Sequence, residues 1–375
     1  MDKARKLTPS LVPRTLLWVS VLGLLAACGD AGYYAQCVRG QLSLMAKREP
    51  INRILEAPNT APELRSHLGK VLAMRDFASS ELLLPDNGSY RSYADLGRPY
   101  AVWNVVATPE FSLTPQQWCF PVAGCVSYRG YFSLKGAKRF AEKLKGEGGD
   151  VYLYGVDAYS TLNWFDDPVL NTFSRRPEAN LAGLIFHELA HQQLYVRGDS
   201  SFNEAFAKTV ELEGVERWLR RNGDEEAQRL YGEAYRREEE FIHLLQQVRD
   251  RLLALYASPL DREAMQSGKE KLFAQLREEY GELKESWGGF AGYDPWFKGD
   301  LNNARLVSVG TYRDLVPVFR LLLRQEGGDL AAFYRRAAAI GRLAPPQRTA
   351  LLGKLLAGAR KEKVAAAGKK IVQSY

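Results

Sequence analysis

The chain has 375 residues, 46% of them hydrophobic and 25% charged, with a formal net charge of +7. That balance excludes a disordered, collagen-like or low-complexity chain, and the length suffices for one large domain or two modest ones. Its one concentrated apolar run lies at the extreme N-terminus, which excludes a polytopic membrane protein.

In chain order, Lys3, Arg5, Lys6 and Arg14 form a basic stretch ahead of a short apolar run, Leu16 to Ala27. This is the pattern of an export signal, too short to span a bilayer comfortably. It ends in Leu25-Ala26-Ala27-Cys28, which resembles the lipobox of bacterial lipoproteins. The resemblance implies cleavage before Cys28, acylation of that cysteine, and attachment to membrane lipid without spanning it. Gly29, rather than Asp, after the cysteine implies the outer membrane of a Gram-negative envelope, facing the periplasm.

Further elements follow in sequence. Residues 61–83 read as a helix, with Leu64, Leu68, Val71, Leu72 and Phe77 near helical spacing. Tyr100–Val106, Cys125–Phe132 and Asp150–Val156 read as strands, and Leu134–Lys145 as a helix between the last two. Cys119 and Cys125 flank turn-forming residues, so a disulfide is expected in an oxidising periplasm; Cys37 is expected to be buried. One helix is expected to begin near Pro177 and a second at Ser201 or Phe202. Beyond Gly223, Phe241, Leu244, Leu245, Val248 and Leu252 recur at helical spacing, and Ser258-Pro259 divides a helical hairpin. Helices over 314–325 and 329–341 close the fold. Residues 341–375 carry eight Lys or Arg against one Glu, which reads as a solvated basic tail. The alternative is a tail resting on anionic lipid through Leu351, Leu352, Leu355 and Leu356. For an exported chain with its basic charge in a tail, no nucleic-acid partner is expected. The expected class is a predominantly helical α+β fold with a small sheet.

The chemistry concentrates at His187-Glu188-Leu189-Ala190-His191. Spacing i, i+4 puts both imidazoles on one helical face, where they can converge on a cation. Glu188 lies at the edge of that face and can act as general base on a water that the metal activates. Leu181, Leu184, Ile185, Phe186, Leu189 and Leu194 predict a buried helix, and burying these polar groups without partners would cost several kcal/mol. A third ligand is needed. Glu204, in Asn203-Glu204-Ala205, sits at the start of the next helix, and an antiparallel return would bring it opposite both histidines. The set would be His₂Glu with an open position for one Zn²⁺.

These motifs resemble gluzincin-type zinc peptidases, in which a similar Asn-Glu-Ala or Asn-Glu-Gly segment supplies the third ligand. More closely, the chain resembles the bacterial family described as putative aminopeptidases. That likeness rests on Tyr33-Tyr34-Ala35-Gln36, Trp118-Cys119-Phe120-Pro121-Val122, Tyr128-Arg129-Gly130-Tyr131-Phe132 and Tyr159-Ser160-Thr161-Leu162. It continues through Trp164-Phe165-Asp166-Asp167-Pro168, the histidine motif and Leu301-Asn302-Asn303-Ala304-Arg305. The resemblance implies a zincin-like catalytic region over 28–222, after a signal at 1–27. A helical region at 223–345 would pack on it, ahead of the tail at 346–375. It also implies hydrolysis of a peptide substrate from its N-terminus.

The chain departs from the better-known gluzincins in two places. Only 12 residues separate His191 from Glu204, which leaves Asp199 as a rival ligand. Lys208 stands where a zinc-orienting Asp is found in thermolysin, so Glu211, two turns beyond Glu204, is the candidate to orient a zinc histidine. Tyr312 is the candidate oxyanion donor. Asp157, Asp166 and Asp167 could bind a substrate ammonium, and strand Asp150–Val156 an extended peptide at its edge. The rival functions are an envelope endopeptidase and a zinc-binding scaffold lipoprotein without turnover.

Overall fold

The computed structural model describes residues 31–120, 124–158, 160–161, 164–309 and 315–372; Cys28 and Tyr312 lie outside them. The chain divides into two compact units, one up to Ala46 and one from Lys47 onward. In the first, helix α1 (Ala31–Ala46) buries only Leu44. Cys37 on this helix is half-buried rather than buried, because a helix with so narrow an apolar contact leaves it at the margin. Among the described residues, no helix is long and apolar enough to cross a membrane.

The second unit is mostly helical with small sheets, an α+β fold with about 62% of the chain helical. It opens with β1 (Glu49–Pro50), α2 (Ile51–Glu56), α3 (Pro62–Ser80) and β2 (Ser92–Ala94). Next come β3 (Val102–Thr108), β4 (Trp118–Phe120), β5 (Gly124–Val126), β6 (Arg129–Tyr131), α4 (Leu134–Gly146), β7 (Asp150–Val156) and β8 (Val169–Leu170). Strands β6, β3 and β7 form an antiparallel sheet, with β7 at its edge. The segment expected as one strand, Cys125–Phe132, is two. β5 pairs with β4, setting Cys119 opposite Cys125 in a disulfide, whereas β6 pairs with β3; the change of partner breaks the strand.

The helices α5 (Glu178–Gln193) and α6 (Ser200–Arg221) follow. Pro177, with φ −48°, precedes the first, and Gly198, at φ +79°, makes the turn between them. Asp199 then caps α6 by accepting the Phe202 N–H. The pair runs antiparallel, since Gly183 meets Glu211 and Val215 at one end while His191 meets Glu204 at the other. Gly214 permits this approach: a Cβ there would stand 2.7 Å from both Phe186 and Leu82. Fully buried Phe186, Phe202, Phe206, Phe319 and Phe333 fill the surrounding core, each worth roughly 1.5–3 kcal/mol on burial.

Helices α7 (Glu225–Tyr256) and α8 (Arg262–Ser286) form the hairpin read from the sequence, each capped by an aspartate, Asp224 and Asp261. Their own core joins Phe241, Val248, Leu252 and Leu276 to Phe297 of α9 (Asp294–Phe297) and Leu306 of α10 (Asn303–Ser308). Asn302 and Asn303 fasten this region to the sheet edge by donating to Val151 O and binding the Asp150 carboxylate. The edge of β7 is therefore occupied at residues 150 and 151.

The chain closes with α11 (Val316–Gln325), α12 (Leu330–Gly341) and α13 (Pro345–Val372). The first turns of α13 are no lipid-facing tail. Leu352 and Ala359 are buried and Leu351, Leu355 and Leu356 half-buried, with the helix lying against α11. The leucines point inward because α11 offers them an apolar surface.

Candidate metal centre

α5 carries His187 and His191 one turn apart, with ring centroids 4.8 Å from each other. Glu204, in the first turns of α6, faces both: its Oε2 is 3.3 Å from His187 Nε2 and its Oε1 3.6 Å from His191 Nε2. One ligand atom from each of the three lies within 4.8 Å of the other two, so the group could hold a metal ion. Two imidazole nitrogens and one carboxylate form a donor set suited to zinc among divalent ions. Nδ1 of His191 is buried without a hydrogen-bond partner among the described residues.

The other nitrogen of His187 is also engaged. Its Nδ1 lies 3.0 Å from Glu211 Oε2, while Glu211 Oε1 accepts from Lys208 Nζ at 2.6 Å and from the Tyr231 hydroxyl at 3.4 Å. Glu211 thereby fixes the ring and leaves Nε2 toward Glu204. Lys208 compensates the buried Glu211 charge.

These contacts set the titration of the metal-free group. Burial opposes charge on His187, but the hydrogen bonds to Glu204 and Glu211 outweigh it and lift its pKa to about 10. Burial, then the neighbouring His187 charge, pushes His191 down to about 4. Burial works against an ionised Glu211, yet Lys208 and His187 hold it at about 2. Glu188 is raised to about 7 by burial, against the pull of His187 and with the push of Glu204 and Asp167.

A family model described as "Putative aminopeptidase" matches residues 32–352. The chain belongs to this family. A peptidase-like function follows from that membership. No curated protein and no solved structure matches the chain.

In this member of the aminopeptidase family, Asp199 is not placed as a ligand. One of its oxygens caps α6 and the other accepts from Arg348 at 2.7 Å, so its carboxylate is turned away from the histidines. Asp157 is paired with Arg176 at 2.7 Å, Asp166 is exposed, and Asp167 is buried against Thr161.

Several tyrosines and a serine meet the centre from segments to which the sequence reading gave no role. Tyr128, between β5 and β6, is 43% exposed, but its hydroxyl end is buried and pushed up to about 12. It senses Tyr154 of β7 and both Glu204 and Glu188. Tyr90 lies beside Glu188 and Asp167 with backbone φ +61°, a conformation that a tyrosine rarely adopts. Ser160, whose hydroxyl is 3.4 Å from the Asp167 carboxylate, also favours the ionised form of Glu188. The only signal was that Tyr128 and Ser160 stand in two of the family-like motifs, and no spacing rule links those motifs to the histidines.

A cavity of about 430 Å³ opens beside the centre, with His187 and Glu188 in its wall and Leu184, Tyr231, Tyr235 and Tyr293 around it. A larger hollow of about 590 Å³, near Leu83, Leu194, Tyr334 and Arg342, contains none of the centre's side chains. The smaller one is the relevant space, because it touches the groups that can do chemistry.

Proposed function

We propose that the chain is a zinc-dependent peptidase that removes residues from the N-terminus of peptides. It is held by lipid on Cys28 at the bacterial outer membrane and faces the periplasm. The observation that carries the reading is the convergence of His187, His191 and Glu204 beside Glu188, in a chain of the aminopeptidase family. The N-terminal lipobox pattern and the Cys119–Cys125 disulfide support an exported, oxidising location.

His187, His191 and Glu204 would hold the ion. Bound there, zinc supplies Lewis acidity, which polarises a peptide carbonyl and makes water more acidic. Glu188 takes a proton from the attacking water and returns it to the departing amine; its lift to about 7 in the metal-free centre suits both halves of that task. Glu211 keeps the His187 ring from turning. Tyr128 keeps its hydroxyl proton at neutral pH and sits where it senses both Glu188 and Glu204. That makes it a candidate donor to a developing oxyanion.

The test is elemental analysis beside peptide hydrolysis for the full-length protein, Glu188→Gln and Glu204→Ala. The expected result is one zinc per chain in the unmodified protein and in Glu188→Gln. Hydrolysis should be lost in Glu188→Gln, and zinc depleted in Glu204→Ala. An unmodified protein without zinc would end the metal assignment. Internal cuts, in place of a ladder shortening from the N-terminus, would make the enzyme an endopeptidase. Zinc with no cleavage of a broad peptide mixture would leave a scaffold.

A further inference from the structure

The cavity beside the centre is walled mainly by three helices. α7 gives it Tyr231, Ala234, Tyr235 and Glu238, at i, i+3, i+4 and i+7, which is one face of a helix. Leu184 and Glu188 of α5 stand in its wall, and Tyr293, just ahead of α9, closes it. Its volume of about 430 Å³ lies in the range of pockets that take small organic groups.

Its aromatic walls are held by their own neighbours. The Tyr293 ring stacks on Phe241 at 4.2 Å between centroids and packs against Trp287 at 5.7 Å. The Tyr231 hydroxyl reaches Glu211 at 3.4 Å, and Lys208 Nζ lies 5.8 Å from the Tyr235 ring centroid. The charged groups of the wall are matched among themselves. Arg176 pairs with Asp157 at 2.7 Å, and Lys208 lies 2.6 Å from Glu211 and 3.6 Å from Glu238. A charged guest would have to break one of these pairs or stay unpaired, which is costly away from water. An apolar ring needs neither, and it gains the tyrosine faces and Leu184.

We propose that this cavity is the specificity pocket for a large aromatic side chain, carried by a substrate residue that flanks the bond to be cleaved. Because Glu188 is part of the wall, a side chain seated there lies next to the reacting bond. Walls already fixed in place lose little freedom when the ring enters. Ala234 keeps the space open. Its methyl group is the smallest side chain on the α7 face, one turn from Tyr231 and next to Tyr235. It is exposed, so a larger residue there crowds the cavity and not the core.

This rests on the peptidase reading, and the test separates the two claims. Zinc-loaded full-length protein is compared with Ala234→Trp and the milder Ala234→Met. The probes are tripeptides and internally quenched peptides with Phe, Trp, Ala, Lys or Glu at each position flanking the cut, which mass spectrometry locates. In the unmodified protein, kcat/KM with Phe or Trp at one of those positions should exceed that with Ala, Lys or Glu by about 10–100-fold. That ratio should fall to about threefold or less in Ala234→Trp, and partly in Ala234→Met, with zinc content unchanged. No aromatic preference at either position, or an unaltered ratio in both variants, overturns the proposal. Calorimetry of the same tripeptides with Glu188→Gln, alone and combined with Ala234→Trp, needs no turnover. Phe peptides should bind about tenfold more tightly than Ala peptides, and Ala234→Trp should abolish the difference. If the unmodified protein cleaves no probe, the peptidase reading falls. The calorimetry then still decides on the pocket, since equal binding of Phe and Ala peptides overturns it.

Discussion

His187 stands between two carboxylates, Glu204 on one nitrogen and Glu211 on the other. In the metal-free protein that sandwich keeps the ring protonated up to about pH 10. A cation binding at Nε2 must displace one proton, so metal affinity rises with pH. Between pH 7.5 and 9 the increase should be about tenfold per unit, because His191, at about 4, has no proton left to lose. Competition of a zinc chelator at several pH values measures this directly, and a flat affinity would mean that His187 is neutral before the metal arrives. Glu211 was legible because seven residues from Glu204 is two helical turns. Ser160 and Tyr128 were not, since they reach the centre through loops docked by Arg75, Tyr90 and the β6 pairing.

Among the elements, the antiparallel pair α5–α6 carries the whole donor set. It was the most readable part of the fold because ligands, turn and cap lie within one short stretch of chain. What the sequence did not resolve was the role of Asp199, a carboxylate at the right distance along the chain with two possible uses. In the folded protein it caps α6 and pairs with Arg348, whose side chain is 7% exposed. Asp199→Asn keeps the cap and removes the ion pair. It should lower stability by about 1–3 kcal/mol, from the partner left buried without its charge, with metal content unchanged. Denaturant unfolding beside elemental analysis checks both halves, and loss of metal in this variant would restore Asp199 as a ligand. The strand over 125–132 failed for a related reason. Its alternation is real, but its two halves pair with different neighbours, which period-two patterning cannot reveal.

At the scale of the whole molecule, the predominantly helical α+β class and the hairpin of α7 and α8 were readable from hydrophobic spacing. The packing of the closing helix α13 was not, because its row of leucines was visible but nothing in the sequence showed that α11 would cover it. A chain ending at residue 344 loses Leu352 and the Arg348 clasp, whereas one ending at 359 keeps them. The shorter chain should melt lower by on the order of 5 °C and the longer one close to the full protein. Equal midpoints for all three would mean that α13 adds nothing to the core. The Arg348–Asp199 clasp also imposes an order in time. The two partners are 149 positions apart. A growing chain therefore completes both histidines and Glu204 well before the segment that locks the start of α6 exists, and the clasp can close only after Arg348 has been made.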